Sequence, residues 1–271
     1  MTDKFLKRIV FEGNSPTTIG RYAFSNGSFS SITAPNIASI DFEAFYRCSG
    51  LTNVSIGGNI PSGYDAYINT ETIGKEAFEY LTDGFESLEL GSNVTTIDDS
   101  SFGSNNNLQK LHIVGNSGTV ISGNAFGSCR ALTEVIIDNA SSISGSQSTS
   151  YGSFSYSTNI ERVTIGNVSS WDYAFYGRTK ISSVTLSNGC TNVGQGTFSG
   201  CTSLGNVDFP NTLTSIGASA FTNSRSLTSC TIGSGVTSIG YRAFEECYNL
   251  RRVIVLAETP PTLGNYAFSY T

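Results

Sequence analysis

A small residue followed by phenylalanine recurs along the whole chain at nearly constant spacing. The phenylalanines are Phe24, Phe45, Phe78, Phe102, Phe126, Phe154, Phe175, Phe198, Phe221, Phe244 and Phe268, separated by 21, 33, 24, 24, 28, 21, 23, 23, 23 and 24 residues. A period in the low twenties, held from end to end, specifies a stack of similar units. Each unit buries its apolar face against its neighbours, so the expected architecture is a solenoid of about eleven repeats.

Within the period lies a second signal. One unit reads Leu204-x-x-Val207-x-Phe209 then Leu213-x-x-Ile216-Gly217-x-x-Ala220-Phe221, and the next reads Leu227-x-x-Cys230-x-Ile232 then Val236-x-x-Ile239-Gly240-x-x-Ala243-Phe244-x-x-Cys247-x-x-Leu250. The alternating pair is the period-two pattern of a half-buried strand. Its equivalents are Ile9/Phe11, Ile32/Ala34, Val54/Ile56, Leu88/Leu90, Leu111/Ile113, Val135/Ile137, Val163/Ile165, Val184/Leu186 and Val253/Val255. This predicts eleven parallel strands, one per phenylalanine, the first opening at Leu6. Four residues before most phenylalanines stands Gly20, Asp41, Gly74, Asp98, Ser122, Ser150, Gly194, Gly217, Gly240 or Gly264. These residue types start helices, so each repeat is expected to turn through a short helical or 3-10 segment. Trp171 interrupts that column and predicts an irregular turn. The two long intervals predict surface loops, at Gly57 to Thr72 with Tyr64 and Tyr67, and at Asn139 to Tyr156.

The pattern, eleven times over, resembles the BspA-like, Treponema-type leucine-rich repeat. The resemblance implies a right-handed, curved, β-rich α/β-type superhelix with its parallel sheet on the concave side and the short helical turns opposite. It implies no catalytic residues. Members are often surface proteins of host-associated bacteria, some acting as adhesins, so cell-surface exposure as part of a larger exported protein is expected. The start, Met1 to Arg8, has no apolar stretch of the signal-peptide kind. Neither end has a polar capping unit, so end-to-end self-association is a further expectation.

Charge and composition narrow the functional classes. Charged residues make up 13% and the net charge is −6; the 15 Lys and Arg form no basic stripe, which argues against nucleic acid. No apolar run approaches the ~20 residues that span a bilayer. Of the six cysteines, Cys48, Cys129, Cys201 and Cys247 each follow the motif phenylalanine by three residues, never in consecutive repeats. Rungs stack about 4.8 Å apart, so two rungs separate such residues beyond the ~7 Å of a disulfide. With Cys190 and Cys230, they read as six free, buried thiols, and no Cys-x-x-Cys suggests zinc. Asp98-Asp99 reads as a turn cap, since no run of oxygen ligands surrounds it. No cofactor is expected.

The outward column between the buried pairs runs Val10, Thr33, Ser55, Glu89, His112, Ile136, Thr164, Thr185, Asp208, Thr231 and Ile254. Its centre, with Glu89, Lys110, His112, Glu134, Asp138 and Arg162, is a mixed-charge patch and the first candidate contact surface; Tyr64 and Tyr67 on the insertion are the second. His112 is the sole histidine, and Ser87 the one serine near enough to join it. Catalysis is therefore not expected. The function expected is non-enzymatic recognition of a protein or glycan by an adhesion-type surface module. The competing class is a structural spacer of a surface or phage appendage. A carbohydrate-binding sheet would need exposed aromatics, which the concave columns almost lack.

Overall fold

The computed structural model describes residues 7–13, 15–147 and 151–271. Leu6, Ser150 and the opening segment of the sequence reading lie outside them. Among the described residues all regular structure is strand: β1 (Arg8–Val10), β2 (Thr17–Ile19), β3 (Ser31–Ala34), β4 (Ile37–Ile40), β5 (Asn53–Ile56), β6 (Ala66–Ile68), β7 (Thr72–Ile73), β8 (Ser87–Leu90), β9 (Thr96–Ile97), β10 (Lys110–Ile113), β11 (Val120–Ile121), β12 (Glu134–Ile143), β13 (Arg162–Ser170), β14 (Ser183–Leu186), β15 (Asn192–Val193), β16 (Asn206–Asp208), β17 (Ser215–Ile216), β18 (Ser229–Ile232), β19 (Ser238–Ile239), β20 (Arg252–Val255) and β21 (Thr262–Leu263). The chain winds a parallel β-solenoid of about eleven turns. One long-strand face runs β1-β3-β5-β6-β8-β10-β12-β13-β14 and resumes as β16-β18-β20. The second apolar pair of each repeat forms another ladder, β2-β4-β7-β9-β11 and the end of β12, resuming as β15-β17-β19-β21.

Period-two burial holds rung by rung. Ile32, Ala34, Val54, Ile56, Leu88, Leu90, Leu111, Ile113, Val135 and Ile137 point inward and are wholly buried, while the residues between them face out. The motif phenylalanines form one internal column, with ring centroids 4.8 to 5.7 Å apart from Phe24 to Phe268 and interplanar angles of at most 22°.

The structure corrects the expectation of eleven long-face strands. Among the described residues there are twelve, because the 57–72 insertion adds β6 as an extra strand between β5 and β8. Ala66 and Ile68 point inward, completely buried, and Tyr67 between them faces out. An alternating apolar-polar triplet next to an open strand edge gains more by pairing than by remaining a loop. Phe45 still stacks on Phe78 at 4.8 Å, so the extra strand is a half-rung that leaves the phenylalanine column intact. Part of the 139–156 segment is strand rather than loop. Its first part continues β12, in register with β13 (Asn139 with Asn167, Ala140 with Val168), and buries Ala140 and Ile143.

Helical turns are likewise absent among the described residues. Each corner is a run of β-turns, such as Ala23 N–H to Gly20 O at 3.2 Å, Ser25 N–H to Tyr22 O at 3.1 Å and Gly27 N–H to Phe24 O at 2.9 Å. The intervening N–H groups donate to the neighbouring rung instead: Tyr22 to Phe42 O, Phe24 to Ala44 O and Asn26 to Tyr46 O. Alternate amides thus leave the local segment, which an α-helix forbids. The residues two before and two after every motif phenylalanine have φ between +51° and +124°, and eighteen of them are not glycine. A left-handed residue every fourth position prevents any helix from propagating.

The column four before phenylalanine consequently caps no helix. Asp41 and Asp98 carboxylates do accept the next residue's N–H, each at 2.7 Å. The glycines instead permit close stacking: a Cβ on Gly217 would lie 2.7 Å from Gln195 N, and one on Gly240 2.5 Å from Ala218 N. Trp171 does not disorder its turn, because Tyr173 (φ 56°) and Gly177 (φ 69°) repeat the standard geometry. Its indole is fully buried and donates to Asn192 O and Oδ1, both at 3.2 Å, where the second ladder breaks before β15.

The long face breaks once, between β14 and β16. Gly57, Gly91, Val114, Ser187 and Leu256 each donate an N–H of 2.8 to 3.0 Å back to the end of the preceding strand. Pro210 stands at the equivalent position and has no N–H to give. Continuity passes through the corner, by Phe198 N–H to Ala220 O at 2.8 Å and the Phe198–Phe221 stack at 5.5 Å.

The cysteine column has a polar role inside the core. Cys48, Cys129, Cys201 and Cys247 thiols donate to the carbonyls of Phe24, Phe102, Phe175 and Phe221 at 2.9, 3.2, 3.6 and 3.2 Å. Ser157 and Ser224 do the same for Phe126 and Phe198, at 2.7 and 3.1 Å. The column selects a small buried donor. All six cysteines are free and buried, and burial raises the thiols of Cys48 and Cys190 to about 11 and those of the other four to about 12. Such thiols are inert in the folded state. Alkylation at pH 8 should add no label natively and six after denaturation without reductant, read by mass spectrometry; fewer than six would reveal a bridge.

Candidate functional site

The added strand brings the two candidate surfaces of the sequence reading together. Tyr67 on β6 is in register with Glu89 on β8, which is in register with His112 on β10. Tyr64, in the loop before β6, reaches across to His112: its hydroxyl lies 3.2 Å from Nδ1. Glu89 Oε2 lies 3.0 Å from the same nitrogen, and Asp138 Oδ2 2.9 Å from Nε2. Lys110 Nζ sits 4.2 Å from the Tyr64 ring centroid, a cation–π contact that holds the ring over the sheet. The Tyr64–Lys110–Glu89–His112–Asp138 cluster is thus one connected unit spanning three neighbouring strands and the loop before β6. The insertion is joined to the patch through Tyr64.

Glu134 and Arg162 lie on the flank of this cluster. Lys110, Glu134 and Arg162 are cross-strand neighbours, so charge alternates along that row. Arg162 Nε meets Glu134 Oε1 at 3.4 Å and its NH1 meets Glu161 at 3.7 Å. With the Arg162 side chain 52% exposed, such pairs contribute under about 1 kcal/mol each.

Ser87 does not approach a catalytic arrangement with His112. Its hydroxyl donates to Asp65 Oδ2 at 2.8 Å and accepts from Asp65 N–H at 2.9 Å. Asp65 also accepts the N–H groups of Glu86 and Ser87, at 3.2 and 3.1 Å, and so anchors the inserted strand to β8. Sequence reading missed Asp65 because its partners become neighbours only through the extra strand. Tyr67 packs its ring beside Gly58 and its hydroxyl beside Gly91, where a Cβ would come within 2.7 and 2.6 Å. Burial, then the charge on Glu89, raises the Tyr67 hydroxyl above its usual range. The patch therefore offers two phenols, an ammonium, an imidazole and carboxylates on an open sheet.

The profile described as BspA type leucine-rich repeat region matches in six copies, over residues 17–144, 66–171 and 171–271. The chain belongs to the BspA-type leucine-rich repeat family. Among solved structures, a leucine-rich repeat protein from Bacteroides ovatus is 20% identical, with 92% of this chain and 78% of that one covered and a TM-score of 0.45. The T. pallidum leucine-rich repeat protein is 20% identical over 73% of this chain and 77% of its own, with a TM-score of 0.43. A leucine-rich cell surface protein from Faecalibacterium prausnitzii is 20% identical over 93% and 74%, with a TM-score of 0.40. A comparison with curated proteins finds no match. Among the described residues of this BspA-type chain, no helix is long and apolar enough to cross a membrane.

Corner residues carry a second set of side chains that sequence reading passed over. The signal was there: tyrosine and charged residues recur two before and two after the motif phenylalanines, as at Tyr22, Glu43, Arg47, Glu76, Tyr80, Tyr173, Arg242, Glu246, Tyr266 and Tyr270. One corner group has a pH consequence. Burial, then the Glu76, Asp99 and Glu43 charges, push the Glu79 carboxyl up to about 7, with Arg47 opposing. Between the ordinary carboxylate range and pH 7 the unfolded chain ionises before the folded one, so stability falls as pH rises through that window and levels off above it. Glu79→Gln should stabilise by about 1 kcal/mol at pH 8, after discounting for solvent screening, and by nothing at pH 4. Urea titrations at the two pH values measure both.

Proposed function

We propose that this chain is a non-enzymatic recognition module of a bacterial cell-surface protein, contacting a protein or glycan partner through the outward face of β6, β8, β10, β12 and β13. The observation that carries this is the inserted strand. The half-rung skips the phenylalanine column, yet it delivers the Tyr64 hydroxyl onto His112 of the Glu89–His112–Asp138 cluster and sets Tyr67 in register with Glu89. Tyrosine and cationic side chains, fixed by neighbours on a rigid sheet, are the residues that dominate binding energy at interfaces. Catalysis needs a substrate held in a concave site against a nucleophile or proton donor, whereas this cluster lies on an open sheet with its serine engaged elsewhere. Family membership supports an interaction role.

Tested against arrays of immobilised matrix proteins and glycans, the double variants His112→Ala/Arg162→Ala and Tyr64→Ala/Tyr67→Ala should both weaken binding at least tenfold, because they dismantle one unit. Melting temperatures should stay near the parent's. A spacer function predicts no ligand on any array. A turnover activity lost in His112→Ala would overturn the recognition reading.

A further inference from the structure

We propose that the corner face near Phe24 to Phe78 is a second recognition surface, built to take the carboxylated sugar at the end of a short glycan. Three arginine-bridged aromatic pairs stand on the corners. Arg21 lies 5.8 and 5.0 Å from the Tyr22 and Phe42 ring centroids, which are themselves edge-to-face at 5.4 Å. Arg47 bridges Tyr46 and Tyr80 at 5.1 and 5.5 Å, the rings 5.7 Å apart. Arg242 bridges Tyr241 and Tyr266 at 4.8 and 5.7 Å, the rings 5.9 Å apart.

The three differ in what the guanidinium edge meets. Arg242 Nε is paired to Glu245 Oε1 at 3.4 Å. Among the described residues, Arg21 and Arg47 form no ion pair; Glu79 feels the Arg47 charge without reaching it. The ring contacts leave each N–H fork without a carboxylate partner, and such a fork matches a carboxylate through two parallel hydrogen bonds. Tyr22 and Tyr80, 51% and 39% exposed, set ring surface and a hydroxyl beside each fork. A carboxylated sugar presents an anion and apolar C–H faces within one ring, so it engages fork and aromatic together. The net charge of −6 and the neighbouring Glu43 and Glu76 oppose an extended polyanion.

The test uses the whole chain with 3′-sialyllactose, a glucuronate-terminated disaccharide, neutral lactose and a glutamate-rich hexapeptide, followed by NMR titration. Both carboxylated sugars should bind and lactose should not. Arg21→Lys/Arg47→Lys, which keeps the charge but loses the planar fork, should weaken them at least tenfold with an unchanged melting temperature. Arg242→Lys should bind as the parent does. His112→Ala/Arg162→Ala should also leave this binding intact, so the two surfaces fail separately. Silence from the carboxylated sugars, equal binding of lactose, tighter binding of the peptide, or loss of melting temperature in the lysine variant would each overturn the proposal.

Discussion

Phe221→Ala should lower stability by about 3–5 kcal/mol, the usual cost of emptying a large aromatic site in a close-packed core. The ring is wholly buried and stacked on Phe198 at 5.5 Å and Phe244 at 5.2 Å, with Phe209 edge-on at 5.6 Å. Its backbone is pinned as well: Phe221 N–H donates to Ala243 O at 2.7 Å, and its carbonyl accepts the Cys247 thiol at 3.2 Å. Neighbouring rungs cannot close the void, because main-chain bonds fix their separation. The loss also strikes two interfaces at once, and an array holds together only through nearest-neighbour interfaces. Phe268→Ala, at a half-buried ring with one stacked partner, should cost markedly less. Urea denaturation of both variants measures the difference; equal midpoints would mean that the phenylalanine column is not the spine of the fold.

Gly240→Ala should cost about 1–3 kcal/mol although it adds one methyl group. That Cβ would stand 2.5 Å from Ala218 N, 2.7 Å from Gly217 C and 2.9 Å from Ala218 Cα. All three are main-chain atoms, so no side chain can rotate aside. The rung must open, stretching Gly240 N–H to Ile216 O and Ser219 N–H to Tyr241 O, both 2.8 Å. Gly205→Ala is the control, since a Cβ there meets nothing within 4 Å. It should be neutral or slightly stabilising, through the reduced entropy of the unfolded chain. A harmless Gly240→Ala would restore the reading of that column as a chain of caps.

The sequence alone determined the repeat, the inward pairs, the single phenylalanine column and the buried cysteines. These follow from periodicity, which repeats the same local instruction many times and so survives an error in any one copy. It also placed Glu89, His112 and Ile136 as neighbours, because register in a parallel stack follows from aligning the repeats. Only the tertiary structure decided four things. The corners are β-turn ribbons because alternate amides find acceptors on the next rung, a partner invisible to local propensity. Ala66–Ile68 pairs as a strand because an open edge lies beside it. Pro210 splits the sheet because of where its missing N–H falls against β14. Tyr64 joins His112 across 48 residues because the inserted strand lays its loop over the sheet. Each of these depends on a contact between segments, and the energy of such a contact resides in neither segment alone.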